Sequence, residues 1–228
     1  EDRHVPLTKA QAEAYEELDR DLCTYILESD AEVSAEIVLT KLLRLRQILS
    51  GFVMDDEGNL VWLKGGTKRV AETKDIVEQA GKVVIYAYFN PSIELLLDEL
   101  KKFNPVSLRG KQFTNEDEVE ENKRRFNEDP DCKAIVCQVS AAKYGHTLVG
   151  SEKGGFCSVG TYFENSYSLD DRIQSEDRLH RIGQPNSVKY IDFVSSPTDR
   201  AIVAALQKKQ SIADAIIDGV QKGEIGKT

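Results

Sequence analysis

Residues Gln174 to Gln184 read Gln-Ser-Glu-Asp-Arg-Leu-His-Arg-Ile-Gly-Gln. Two arginines, one histidine, two acids and two glutamines stand in this short span, with a glycine next to its end. Read as a helix, Gln174, Arg178 and Arg181 fall at i, i+4 and i+7 and share one face. Two guanidinium groups one turn apart repel each other unless an anion lies between them. A triphosphate suits such a pair, because each Arg offers a planar donor fork that matches phosphate oxygens. The alternative is a solvated charged face on which Arg178 and Arg181 pair with Glu176 or Asp177.

On either side of this stretch, apolar runs of strand length alternate with helical patterns. Val83–Phe89, Cys132–Val139, Phe156–Phe163 and Val188–Val194 are the longer runs, and Val106–Leu108 is a shorter one. Helices are predicted over residues 67–79, 92–102, 115–126 and 198–217, with one more through the opening stretch. Asn90 with Pro91, Asn115 with Glu118, and Ser168 with Asp171 supply start signals. Strand and helix in alternation imply parallel strands joined by crossover helices, an α/β fold. In such sheets ligands sit beyond the carboxyl ends of the strands. Attention therefore falls on Tyr86–Pro91, Arg109–Lys111, Ser140–Leu148 and Tyr162–Arg172. The helix start after Asn90 offers backbone N–H groups to an anion.

The N-terminal part reads differently. Residues 1–6 look frayed. Thr8 with Gln11 forms a candidate capping box for a helix to Glu28, and a second helix runs over residues 33–49. Phe52–Met54 and Leu60–Leu63 flank a turn at Gly58-Asn59, which predicts a hairpin. The turn also accounts for Asp56-Glu57 without a metal. Gly65-Gly66 marks a boundary, dividing residues 1–66, a helical extension with a short hairpin, from residues 67–228.

The net charge of −9 argues against a free-standing nucleic-acid grip, although a local basic groove is compatible with it. Cys23, Cys132, Cys137 and Cys157 have no zinc-like spacing and read as reduced thiols of the core. No apolar run approaches the roughly 18–20 residues of a membrane span, and no signal peptide opens the chain. Gly226-Lys227-Thr228 has the ending of a phosphate-binding loop, but Gln221 stands where the pattern needs Gly. No complete pattern occurs elsewhere.

The opening stretch closely resembles motif VI of Swi/Snf-type superfamily 2 ATPases, Q-x-x-D-R-x-H-R-I-G-Q. Gln174, Asp177, Arg178, His180, Arg181, Ile182, Gly183 and Gln184 match every fixed position. Tyr86–Pro91 resembles motif IV. Ser140-Ala-Ala-Lys-Tyr-Gly-His-Thr-Leu148 resembles motif V, with Lys143 in place of a usual Gly and Thr147 in place of a usual Asn. Tyr167 stands at a usual Trp position. Leu45-Arg46-Gln47-Ile48 resembles a segment that often precedes the second motor lobe. The likeness covers residues 67–217, with weaker echoes back to Leu7. The compact motif spacing is similar to that of phage and bacterial members.

The resemblance implies the three-layer RecA-like C-terminal lobe of a Swi/Snf-type helicase or DNA translocase. It implies that Arg178 and Arg181 are arginine fingers, and that these two with Gln174 and Gly145 contact ATP. It places Arg109, Gly110, Lys111, Lys143 and Thr147 near nucleic acid, with DNA the expected partner. ATP and Mg²⁺ would be held mainly by an N-terminal RecA-like lobe of the same parent protein, so this chain alone is expected to be inactive. No membrane partner is expected. The expected compartment is the cytoplasm of a prokaryotic or phage-infected cell, or the nucleus of a eukaryote. The departures at Lys143 and Thr147 leave open a second reading, an interaction module that keeps the fold without the reaction.

Overall fold

Parallel strands need crossover connections, and the chain supplies them. A computed structural model describes residues 1–28, 33–55, 57–110, 115–139, 147–208 and 212–226. Among these residues the strands are β1 (Asp2–His4), β2 (Phe52–Met54), β3 (Leu60–Trp62), β4 (Val83–Ala87), β5 (Val106–Leu108), β6 (Ala134–Gln138), β7 (Gly150–Ser151), β8 (Gly155–Phe156), β9 (Val159–Tyr162) and β10 (Lys189–Val194). The helices are α1 (Lys9–Glu28), α2 (Ala35–Leu49), α3 (Arg69–Ala80), α4 (Asn90–Glu99), α5 (Glu116–Glu128), α6 (Leu169–Glu176), α7 (Pro197–Lys208) and α8 (Ile212–Gln221).

Packing divides the chain into two units. One comprises Glu1–Arg3 with Arg69–Phe193, and the other His4–Lys68 with Val194–Thr228. The first holds a sheet in the order β1-β10-β9-β4-β6-β5. β4 pairs in parallel with β6 and β9, β5 with β6, and β10 with β9. This is the α/β, mostly parallel fold that the alternation predicts. β4 is buried along its whole length, which suits an unbroken apolar run covered on both faces. The chain fills one flank of β4 with β5 and β6, then crosses to β9 and β10 on the other. The switch point lies between the carboxyl ends of β4 and β9.

In the second unit α8 packs on α1, α2 and α7. Thr8 and Gln11 form the expected capping box: Thr8 N donates to Gln11 Oε1 at 3.0 Å and Gln11 N to Thr8 Oγ1 at 3.3 Å. The buried Gln11 amide also donates to the Ile48 and Leu49 carbonyls at the end of α2, each at 2.9 Å. β2 and β3 form the expected hairpin, with Gly58 at φ 84° in its turn.

Four sequence expectations are corrected. Residues 2–4 are an edge strand, held where Glu1 N donates to Tyr190 O at 2.8 Å and Asp192 N to Glu1 O at 2.9 Å. The run Phe156–Phe163 breaks at Cys157-Ser158, because Cys157 N turns to the Val149 carbonyl. The last helical pattern is two helices, α7 and α8. Finally, α6 ends at Glu176, so the opening stretch is helix followed by turns.

Candidate functional site

The end of α6 decides where the arginines stand. Ser168 caps the helix as expected, accepting from Asp171 N at 3.2 Å. Arg172 then holds it against β10, donating to both carboxylate oxygens of Asp192 and to Glu176, while its guanidinium carbon lies 3.7 Å from the Tyr162 ring centroid. Burial disfavours the Arg172 charge, but Asp192, Tyr162 and Glu176 together outweigh it and hold the pKa above the ordinary arginine value. Glu176, which a solvated face would offer to Arg178, is thereby engaged by Arg172.

Beyond Glu176 tertiary bonds replace the helical ladder. Arg178 N and Leu179 N donate to the carbonyls three residues back, at 3.2 and 3.1 Å. The Arg178 carbonyl, which a continuing helix would give to Ile182 N, accepts from Leu148 N at 3.1 Å. Leu179 is fully buried in the core beneath the sheet, while Ile182 is fully exposed. Gln184 donates to the Cys157 carbonyl at 2.8 Å, which closes the stretch onto the chain before β9. The shared face of Gln174, Arg178 and Arg181 is therefore not formed, because only Gln174 is helical.

Turns nevertheless bring the two arginines together. Thr147, Asp177, Arg178, His180, Arg181 and Ile182 line an open recess of about 610 Å³. Arg178 is only 7% exposed, and among the described residues its Nε has no hydrogen-bond partner. Burial first, and then the neighbouring Arg181 charge, pull its pKa below the ordinary value. Arg181 is exposed and donates to Thr147 Oγ1 at 2.7 Å. A buried cation with an unsatisfied donor, beside a second cation, is an arrangement an anion would stabilise.

Of the other expected site residues, half-buried Gln174 is not among those lining the recess. Arg109 is paired with Glu94, which lies at 2.5 Å and is held below the usual carboxylate range by that bond. Gly110 N donates to Gln138 Oε1 at 3.0 Å, and among the described residues a side chain at Gly110 would meet only that atom, at 3.5 Å. Lys111, Lys143 and Gly145 lie outside the described residues, as does Asp56.

The switch point holds a surprise for the helix after β4. Glu164 is 1% exposed, and its carboxylate accepts from Tyr88 N at 2.7 Å, Phe89 N at 2.9 Å and Ser92 Oγ. The anion expected at this helix start is thus the protein's own. Asn90 is not the cap but the first residue of α4. Sequence reading also missed Asn127, which donates to the Thr147 carbonyl at 3.0 Å and accepts from Gly150 N at 2.9 Å. Neither residue carries a sequence signal for its role, since each partner is distant along the chain.

With this geometry in place, comparison with known proteins shows what the chain is similar to. No family model matches the chain. It is 25% identical over 209 residues to the ATP-dependent helicase fft2 of Schizosaccharomyces pombe, a match covering 89% of this chain and 15% of that protein. The chain is similar to ATP-dependent helicases of the Swi/Snf type, and its fold is that of their ATPase-core structures. Solved structures agree in fold. The SWI2/SNF2 ATPase core of Sulfolobus solfataricus in complex with dsDNA superposes with TM-score 0.68 at 22% identity, over 96% of this chain and 46% of that one. The C-terminal part of the Fun30 ATPase domain gives 0.66 at 17% identity, over 96% and 95%. The chain thus spans about a seventh of that curated relative and just under half of the Sulfolobus chain. Among the described residues, no helix is long and apolar enough to cross a membrane, and no group of three or more His, Cys, Asp or Glu could hold a metal.

Proposed function

We propose that this lobe is the second motor lobe of an ATP-dependent DNA translocase or helicase of the Swi/Snf type. Arg178 and Arg181 complete an ATP site whose phosphate cradle and Mg²⁺ ligands belong to an N-terminal RecA-like lobe of the same parent protein. One observation carries the reading: the buried Arg178 guanidinium, with an unpartnered Nε among the described residues, opens on a recess shared with Arg181. That donor set fits a phosphate chain, since forked N–H donors in a poorly solvated site bind anionic oxygens strongly. Arginines placed against transferring phosphate contribute about 10³–10⁵ in rate. Gln174 and Gly145 are assigned to the same nucleotide contact. ATP supplies the phosphoryl group; this chain contributes charge and position.

DNA is assigned to the loops bearing Arg109, Gly110, Lys111, Lys143 and Thr147. The support is fold likeness to a core whose structure contains double-stranded DNA. The bond from Arg181 to Thr147 Oγ1, at 2.7 Å, supports a coupling between the proposed DNA and nucleotide contacts.

The test joins this lobe to its N-terminal partner and measures DNA-stimulated ATP hydrolysis. Arg178→Ala or Arg181→Ala should each reduce turnover by about 10³ or more, and the lobe alone should hydrolyse no ATP. Wild-type turnover in both variants would refute the finger assignment and favour a non-catalytic interaction module.

A further inference from the structure

We infer that the hydroxyls of Tyr86, Tyr162 and Tyr190 are positioning groups for the arginine-bearing turn, an inference that rests on the role proposed above for Arg178 and Arg181. The three tyrosines stand on β4, β9 and β10, three neighbouring strands, and all three reach the last residues of α6. Tyr86 Oη donates to the Ser175 carbonyl at 2.6 Å, and the same oxygen accepts from Arg178 N at 3.2 Å. The Tyr190 hydroxyl donates to the Glu176 carbonyl, which also accepts from Leu179 N and His180 N, each at 3.1 Å. Tyr162 Oη lies 2.6 Å from Ser175 Oγ. The Ser175 hydroxyl spends its one hydrogen on the Arg172 carbonyl at 2.7 Å, so Tyr162 is the donor of that pair.

Both carbonyls from which the turn springs are therefore tied to the sheet, as is the side chain of the first. Phenylalanine would fill the same volume at all three positions. Tyr86 and Tyr162 are buried and their rings stack at 4.7 Å, an arrangement that needs no hydroxyl. Burying a phenol without a partner is unfavourable, so what these hydroxyls add over Phe is their bonds to Ser175 and Glu176. Those bonds set where α6 stops and the direction in which Arg178 and Arg181 leave it. Burial also pushes the Tyr86 phenol well above its ordinary pKa, so it remains a donor at physiological pH.

The experiment uses the two-lobe protein with ATP and DNA. Tyr86→Phe, Tyr162→Phe and Tyr190→Phe should each lower kcat by roughly 5- to 100-fold, because a small displacement of a catalytic group is costly. KM for ATP should stay within about twofold, since this lobe contributes little to ground-state binding in the proposed arrangement. Tyr162→Phe combined with Ser175→Ala should be no worse than the more affected single variant, as expected for two ends of one bond. Ile135→Val, which trims a buried side chain of the same sheet, serves as a control of comparable stability cost and should keep wild-type kcat.

If the three Phe variants lose no more activity than Ile135→Val while Arg178→Ala and Arg181→Ala are inactive, the inference is overturned and the arginine reading stands. If both Ala variants keep wild-type turnover, both fall. Should Tyr86→Phe fail to fold, Tyr190→Phe, whose ring is only half-buried, decides the matter.

Discussion

The guanidinium of Arg181 rests on the hydroxyl of Thr147, at 2.7 Å. The Thr147 backbone is itself held by Asn127 of α5, so a helix on one side of the sheet sets the surface against which an exposed arginine is parked. A family motif that ordinarily places Asn at this position would offer an amide. Here the hydroxyl accepts from Arg181, which leaves its own hydrogen for another partner.

Thr147→Val keeps the shape of that side chain and removes the acceptor. Turnover of the two-lobe protein should fall about fivefold, the worth of one net hydrogen bond of ~1 kcal/mol. Thr147→Ser should be close to wild type. Single-turnover ATP hydrolysis measures both, and equal rates for Val and Thr would show that the contact does not matter.

Glu164 closes the start of α4 with one carboxylate that accepts two amides and a hydroxyl. Glu164→Gln leaves one oxygen and turns the other contact into a clash of donors. Stability should drop by about 2–3 kcal/mol, since bonds to a charged acceptor are the stronger kind and a negative charge suits a helix N-terminus. The denaturant midpoint should move down with an unchanged slope.

The Glu94–Arg109 pair masks a cation that the DNA reading needs. Glu94→Gln should release Arg109, tighten DNA binding and steepen the salt dependence by about one phosphate contact. Arg109→Ala should do the reverse. The stability side carries a pH signature. Arg109 holds the folded pKa of Glu94 below its ordinary value, so the contribution is present above about 4.5 and is lost as pH falls through the folded pKa. Fluorescence anisotropy across a salt series tests the first part, and an identical salt slope in all three proteins would refute it.

Asp19 on α1 has the opposite sign. Burial pushes its carboxyl up, against a hydrogen bond from Thr198 Oγ1 at 3.1 Å. The folded state therefore holds the proton more tightly than the unfolded chain, and stability rises as pH falls through the folded pKa toward 3.8. Asp19→Asn can still accept from Thr198. It should raise the melting temperature at neutral pH, with the gain vanishing near pH 4 or below, about the ordinary aspartate pKa. A gain that persists in acid would point to a cause other than charge.

Much of this architecture is readable from residue order because its determinants are local. Thr8 and Gln11, Asn115 and Glu118, and Ser168 and Asp171 bond across three residues, so pattern alone places those helix starts. The buried runs of β4 and β6 announce a sheet covered on both faces, and the Gln174–Gln184 pattern resembles motif VI of Swi/Snf-type ATPases. Arg178, Arg181 and Thr147, singled out from residue order, share one recess. Gln174 does not line it, and Arg109 carries a partner that no spacing rule reveals.

Residue order by itself thus determined the alternating α/β plan, the helix starts and the arginine-bearing stretch, all set by residues within a turn of one another. Tertiary structure alone decided that α6 stops at Glu176, that Glu164 takes the place of Asn90 at α4, and that residues 194–228 pack with the N-terminal helices. Those outcomes depend on partners such as Tyr86 and Ser175, 89 positions apart. Such groups meet only once strands remote in sequence have become neighbours, and a backbone carbonyl then takes whichever donor the packing brings to it.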